Sequence, residues 1–232
     1  MSNRKINWIV FDADDTLLDF KSAQKKAFTK MLAKLGLKDE GDYYHTYTRL
    51  NSGLWRALEK GEMQKAELID KRFGLFCQHY NLQGLDKKMK DLYEEELSKR
   101  GELIPGAWDL LEELSKSYPL ALASNGILSI QRGRFRASGI RPFFKEIIVS
   151  EETGFEKPHK GFFDFMMRKI GQSDPKKILF IGDGLNSDML GALNYGLISC
   201  WYNPNKEHGR LKVDYSVQSL EQIPALVESL II

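Results

Sequence analysis

Cysteine is scarce: Cys77 and Cys200 are the two present in 232 residues, far apart and outside any C-x-x-C pair. That excludes a disulfide scaffold and a thiolate zinc site, and four scattered histidines do not supply the missing ligands. Proline and glycine are also few, 7 and 19, which excludes collagen-like and low-complexity chains. No apolar run approaches the ~18 residues of a membrane span, and no basic segment followed by an apolar stretch opens the chain. Charge of one sign is lacking as well. Lys and Arg number 34 against 32 Asp and Glu, and a net +2 is too small to imply a nucleic-acid or membrane surface. A reduced cytoplasmic protein is expected, a monomer or homodimer with neither a nucleic-acid polymer nor a membrane as partner. A chain of this length can form one large or two small domains around a sizeable core.

What is present is a set of short apolar runs at 8–11, 120–123, 146–149, 178–181 and 198–202. Most are continuous rather than alternating, as expected for strands covered on both faces. Cys200 falls in the last run and is expected to be a buried strand residue. Helical stretches at 107–117, 127–138, 160–170, 187–195 and 220–230 separate the strands. Strands alternating with helices predict an α/β fold with a mainly parallel, Rossmann-like sheet.

One gap is too long for that pattern. A βαβ crossover takes about 30 residues, yet the run at 8–11 is followed by no second strand until Leu120. The excess predicts an inserted helical-bundle cap domain at 20–100, with 1–19 and 101–232 forming the core. Helices are expected there at 21–35, 42–59, 65–80 and 87–99, broken at Gly36, Gly61 and Gly84. Leu50, Leu54 and Leu58 form an i, i+4, i+8 stripe, predicted to be the inward face of the second helix.

The strand ends carry the chemistry. Asp12-Ala13-Asp14-Asp15-Thr16 follows the first strand directly. Two unit charges about 4 Å apart repel by roughly 4 kcal/mol at an effective dielectric of about 20, so such a cluster needs a cation beside it. Ser124-Asn125-Gly126 follows the second strand, Lys157-Pro158 the third, and Gly182-Asp183-Gly184-Leu185-Asn186-Ser187-Asp188 the fourth. Each alone is an ordinary turn or helix cap. All four at carboxyl ends of strands, where open α/β sheets bind ligands, describe one site. Carboxylates without a histidine cluster suit a hard, oxygen-loving ion, with Mg²⁺ the default. A carboxylate can attack phosphorus, a second two residues on can carry the proton, and a hydroxyl and an ammonium can hold the phosphoryl oxygens.

With these motifs in place, the chain resembles the haloacid dehalogenase-like hydrolase superfamily along essentially its whole length. The resemblance implies Asp12 as nucleophile and Asp14 as general acid/base. It also implies Mg²⁺ held by Asp12, the Asp14 backbone carbonyl and Asp183, with Asp188 a closer or outer-shell partner. Ser124, Asn125 and Lys157 become phosphate ligands, Lys157 with a catalytic role, and Thr16 orients the nucleophile loop. The family's dehalogenases lack the second Asp, because a halide leaves without a proton, so Asp14 favours phosphate esters.

Most relatives carry Gly at the position of Asp15. The DADDTL form is similar to the bacterial pyrimidine 5'-nucleotidase group, as are Arg49 to Trp55 and Ser199 to Asn203. The resemblance implies a phosphomonoesterase forming an aspartyl-phosphate and acting on small phosphate monoesters, chiefly pyrimidine or modified pyrimidine nucleoside monophosphates. A sugar-phosphate or phosphoglycolate phosphatase or a phosphomutase of the same superfamily is the alternative. Phe20, Arg49, Asn51 and Trp55 are the expected substrate contacts. Asn51 and Trp55, at i and i+4, share a helix face.

Overall fold

The structure, a computed structural model, describes residues 6–39 and 42–230. The outermost residues of the expected core (1–5 and 231–232) and residues 40–41 of the expected insertion lie outside the described residues. The chain forms two compact units, Met1–Phe20 with Gly101–Ile232, and Lys21–Arg100.

The first unit is an α/β sandwich. Its sheet runs in the order β3 (Phe144–Val149), β2 (Leu120–Ser124), β1 (Trp8–Phe11), β4 (Ile178–Gly182), β5 (Ile198–Tyr202) and β6 (Tyr215–Val217). Every neighbouring pair is parallel. The strands read as unbroken apolar runs because each face has its own core. Ile9, Phe11, Leu120, Leu122, Leu179 and Ile181 point to one side, where α5 (Ala107–Ser115) and α10 (Ile223–Ser229) bring Leu110, Leu111, Leu114, Ile223 and Val227. Val10, Ala121, Ala123, Ile178 and Phe180 point to the other side. There they meet Phe162, Phe163 and Met166 of α8 (Lys160–Lys169) and Ala192 of α9 (Leu190–Tyr195). Each large side chain so buried contributes about 1.5–3 kcal/mol. Cys200 is fully buried in β5.

Three details differ from the sequence reading. β6 was not expected, since three residues are too few to show a period. Residues Ser150–Thr153 form a short helix, α7, after β3. The expected helix at 187–195 begins earlier, as a π-helical turn over Leu185–Met189 that runs into α9.

Order reverses at the centre of the sheet: the chain moves outward from β1 through β2 to β3, then returns to β4 on the other side of β1. Asp12 extends that central pairing by one step, its N–H donating to the Ile181 carbonyl at 2.8 Å. The carboxyl ends of β1 and β4 are therefore locked side by side where such sheets place their ligands.

The second unit is helical. It contains α1 (Phe20–Lys34) from Lys21 onward, then α2 (Tyr43–Glu59), α3 (Lys65–Tyr80) and α4 (Asp86–Ser98). Its interior is aromatic, with Tyr47 stacked on Phe28 at 4.8 Å and on Phe73 at 5.0 Å between ring centroids. This corrects the leucine stripe. The face of α2 that is buried carries Tyr43, Thr46, Tyr47, Asn51 and Leu58, whereas Leu50 and Leu54 are half-buried. Rings on the neighbouring helices fill the volume a leucine seam would need.

Candidate active site

Asp12 stands one residue beyond β1 and is 7% exposed. Lys157 is fully buried among the strand ends, its Nζ 2.6 Å from Asp12 Oδ1 and 2.6 Å from Asp188 Oδ1. The same ammonium donates to the Ala123 carbonyl at 2.8 Å. Asn125 holds the loop that delivers it: Asn125 Nδ2 donates to the Lys157 carbonyl at 2.9 Å, and the Lys157 N–H donates to Asn125 Oδ1 at 2.8 Å. The pair fixes the lysine backbone as a strand ladder would.

Thr16 ties the first loop to the fourth. Its hydroxyl donates to Asp183 Oδ1 at 3.3 Å and accepts the Asp183 N–H at 3.0 Å. Trp201 donates its indole N–H to the Asp183 carbonyl at 2.9 Å. Asp188 lies in the π-helical turn, where a helix gains one extra residue per turn, a feature frequent at functional sites. Its Oδ2 accepts the Gly184 N–H at 3.0 Å. Gly182 makes room for it: a Cβ there would lie 2.5 Å from Asp188 Oδ2 and 2.8 Å from Asp188 Cβ.

Asp12, Asp183 and Asp188 each offer an oxygen within 4.8 Å of the other two. Burial pushes the Asp12 carboxyl up to about 7; Asp188 and Asp14 add to this, while Lys157 pulls it down. Asp183 is raised well above the usual carboxylate range by burial and by Asp12, Asp188 and Asp15. Burial alone would lower Lys157, but the charges of Asp12 and Asp188 hold it above the ordinary lysine value. Three carboxylates against one ammonium leave an excess of negative charge in a site where Asp12, Asp188 and Lys157 are buried and Asp183 half-buried. An all-oxygen donor set with that excess fits a hard divalent cation.

Asp14, two residues from Asp12, points elsewhere. Its Oδ1 is paired with Arg134 Nη1, and its Oδ2 accepts from Gln131 Nε2 at 2.8 Å. Both partners come from α6 (Leu128–Ser138). Ser124 Oγ accepts the Gly126 N–H at 3.0 Å and Gln131 Nε2 at 2.7 Å. Sequence reading missed Gln131 and Arg134. The available signal was their place on α6 beside Ile130 and Phe135, a face that an amphipathic helix buries.

Asp15 adopts a left-handed conformation, with φ at +58°. Glycine reaches that region without penalty, and Asp is among the few other residues that tolerate it. Here the side chain has a use: Asp15 Oδ1 accepts the Phe20 N–H at the first turn of α1, at 3.2 Å.

The structure thus brings Asp12, Ser124, Asn125, Lys157, Asp183 and Asp188 to one end of the sheet, with Asp14 on the same loop as Asp12. The four expected substrate contacts are divided. The Phe20 ring centroid lies 5.4 Å from the Arg134 guanidinium carbon in the first unit. Arg49, Asn51 and Trp55 share α2 in the helical unit, where Arg49 is exposed, Trp55 half-buried, and Asn51 4% exposed with its Oδ1 unpartnered.

The family profile described as haloacid dehalogenase-like hydrolase matches residues 6–196. The chain belongs to this family. Among haloacid dehalogenase-like hydrolases it is similar to the pyrimidine 5'-nucleotidase PynA of Streptococcus pneumoniae, at 34% identity over 93% of this chain and 92% of that one. It is also similar to the pyrimidine 5'-nucleotidase YjjG of Escherichia coli, at 28% identity over 96% and 98%. The solved structure of the HAD-hydrolase YfnB from Bacillus subtilis bound to magnesium superimposes with a TM-score of 0.90 at 33% identity, covering 97% of this chain and 99% of that one. Family and fold together make the chain a hydrolase with a parallel-sheet core.

Proposed function

We propose that this hydrolase is a Mg²⁺-dependent phosphomonoesterase acting on pyrimidine or modified pyrimidine nucleoside 5'-monophosphates. The observation that carries the reading is the triad of Asp12, Asp183 and Asp188, with the buried Lys157 paired to Asp12 and Asp188 and a second aspartate two residues beyond Asp12. The likeness to two pyrimidine 5'-nucleotidases supports the substrate class.

Asp12, Asp183, Asp188 and the backbone of Asp14 would hold Mg²⁺, which when bound offsets the carboxylate charge and that of the incoming phosphate. In the first step a carboxylate oxygen of Asp12 attacks phosphorus. The new P–O bond makes an aspartyl-phosphate as the ester P–O bond breaks, and the leaving alkoxide takes a proton from Asp14. In the second, water attacks the same phosphorus and gives its proton to Asp14, and the acyl-phosphate P–O bond breaks. Inorganic phosphate leaves and the Asp12 carboxylate is restored. Lys157 neutralises charge on the phosphoryl oxygens. Ser124 donates its hydroxyl proton to them, and Asn125 has one amide proton left over from its Lys157 contacts for the same use. The helical segment 20–100 acts as the cap domain, with Phe20, Arg49, Asn51 and Trp55 recognising the nucleoside.

The test is a phosphate-release screen with Mg²⁺ over UMP, dUMP, dTMP, hexose phosphates and phosphoglycolate. Release from the pyrimidine nucleotides at the highest kcat/KM is expected. Preference for a hexose phosphate or phosphoglycolate would overturn the nucleotide assignment, and no release from any ester would overturn the phosphatase reading.

A further inference from the structure

Arg134 is a fully buried cation on α6, and burying a guanidinium is costly unless an anion and hydrogen bonds compensate it. Its Nη1 pairs with Asp14 Oδ1 and also donates to Gln131 Oε1 at 3.2 Å. Gln131, equally buried, lies one turn earlier on the same face.

The chemistry of these groups leaves one arrangement. Arginine can only donate, so the oxygen of the Gln131 amide must face it. The amide nitrogen then faces the other way, where it reaches Asp14 Oδ2 at 2.8 Å and Ser124 Oγ at 2.7 Å. Both Asp14 oxygens face donors, Oδ1 the guanidinium and Oδ2 the amide nitrogen, which agrees with that orientation. Ser124 Oγ thereby accepts two hydrogen bonds, from Gln131 and from the Gly126 N–H. Both of its lone pairs are committed, and the hydroxyl proton is what it has left to offer. Gly126 is shaped for this, since a Cβ there would lie 2.6 to 2.7 Å from the Gln131 side chain.

We propose that Arg134 and Gln131 are a positioning pair that aims the Asp14 carboxylate and commits the Ser124 hydroxyl as a donor to the phosphoryl group. The pair touches neither the substrate's reacting atoms nor the proposed metal carboxylates Asp12, Asp183 and Asp188; it acts through Asp14 and Ser124. The inference rests on the reading of Asp14 as proton carrier, and the experiment separates the two.

The readout is the ratio of kcat/KM for UMP, whose alkoxide needs a proton, to kcat/KM for p-nitrophenyl phosphate, whose phenolate leaves without one. A merely structural role would lower both substrates together and leave the ratio unchanged. D14N is expected to lower the ratio about 100-fold, within the usual contribution of a general acid. R134M and Q131M are expected to lower it about 10-fold or more, and R134K to recover most of the loss, because the charge beside Asp14 returns. Q131M keeps the volume and removes only the amide, so it decides the matter if R134M does not fold. A ratio that falls in D14N but stays at the wild-type value in folded Q131M overturns the positioning role alone. A ratio unchanged in D14N overturns the proton-carrier reading and the inference with it.

Discussion

Asp12 carries two burdens that pull in opposite directions. As the proposed nucleophile it must be charged to attack phosphorus, yet burial and its acidic neighbours push its carboxyl up to about 7. The sign of the consequence follows from linkage. The folded, metal-free protein holds the Asp12 proton more tightly than the unfolded chain, whose carboxyl titrates near its ordinary 3.8. Between about pH 4 and pH 7 the folded state therefore binds more protons, and stability falls as pH rises through that window. Asp183 is shifted in the same direction. A divalent cation favours the ionised carboxylates and reverses the trend. Thermal melts in EDTA should show a Tm lower at pH 8 than at pH 5 from this site, and Mg²⁺ should raise Tm more at pH 8 than at pH 5. An equal rise at both values would contradict the assignment of the charge excess to this cluster. Asp15 belongs to the same scale: its left-handed backbone explains why a glycine suits that position, and its carboxylate secures the first turn of α1.

At the scale of elements, the loop after β4 is the most demanding piece of the site. The π-helical turn at Leu185–Met189 returns Asp188 toward Gly182. Asp188 is short and buried against Lys157, so it has no slack to yield. G182A should therefore displace Asp188, lowering kcat/KM about 10-fold or more and raising the Mg²⁺ concentration needed for half-maximal rate; wild-type values for both would show that Asp188 need not approach the backbone there. The strands and the long insertion were legible in the chain because apolar runs buried on two faces leave a continuous signal, and because a crossover of residues 12 to 119 cannot be a single helix. The motif residues at the strand ends were legible for the same reason, since the strands located them. β6 was too short to register, and the extra residue of the π-helical turn shifts the phase of the helix that follows. The inward face of α2 was misplaced because Tyr47 and its ring partners, rather than Leu50 and Leu54, fill the bundle. Gln131 and Arg134 stayed hidden because their place beside Ile130 and Phe135 marks the buried face of the helix but not the carboxylate that their polar groups meet there.

For the molecule as a whole, the chain is built from a parallel-sheet unit and an inserted helical unit. The sheet unit collects the acidic triad, Lys157 and the supports of Asp14 at one set of strand ends; the helical unit has an aromatic interior in which Arg72 is buried, paired with Glu94 at 2.6 Å. Among the described residues no helix is long and apolar enough to cross a membrane. The small net charge of +2 leaves recognition to local groups rather than to a field over the surface. The central claim is that phosphate passes through Asp12. It is tested most directly by quenching the protein during turnover of UMP with Mg²⁺, reducing with borohydride, and locating the modified residue by mass spectrometry. An acyl-phosphate on Asp12 should be reduced to homoserine at position 12, in a yield that depends on substrate and disappears in folded D12N, which should also be inactive. Continued turnover by D12N, or substrate-dependent reduction at another residue with position 12 intact, would contradict it.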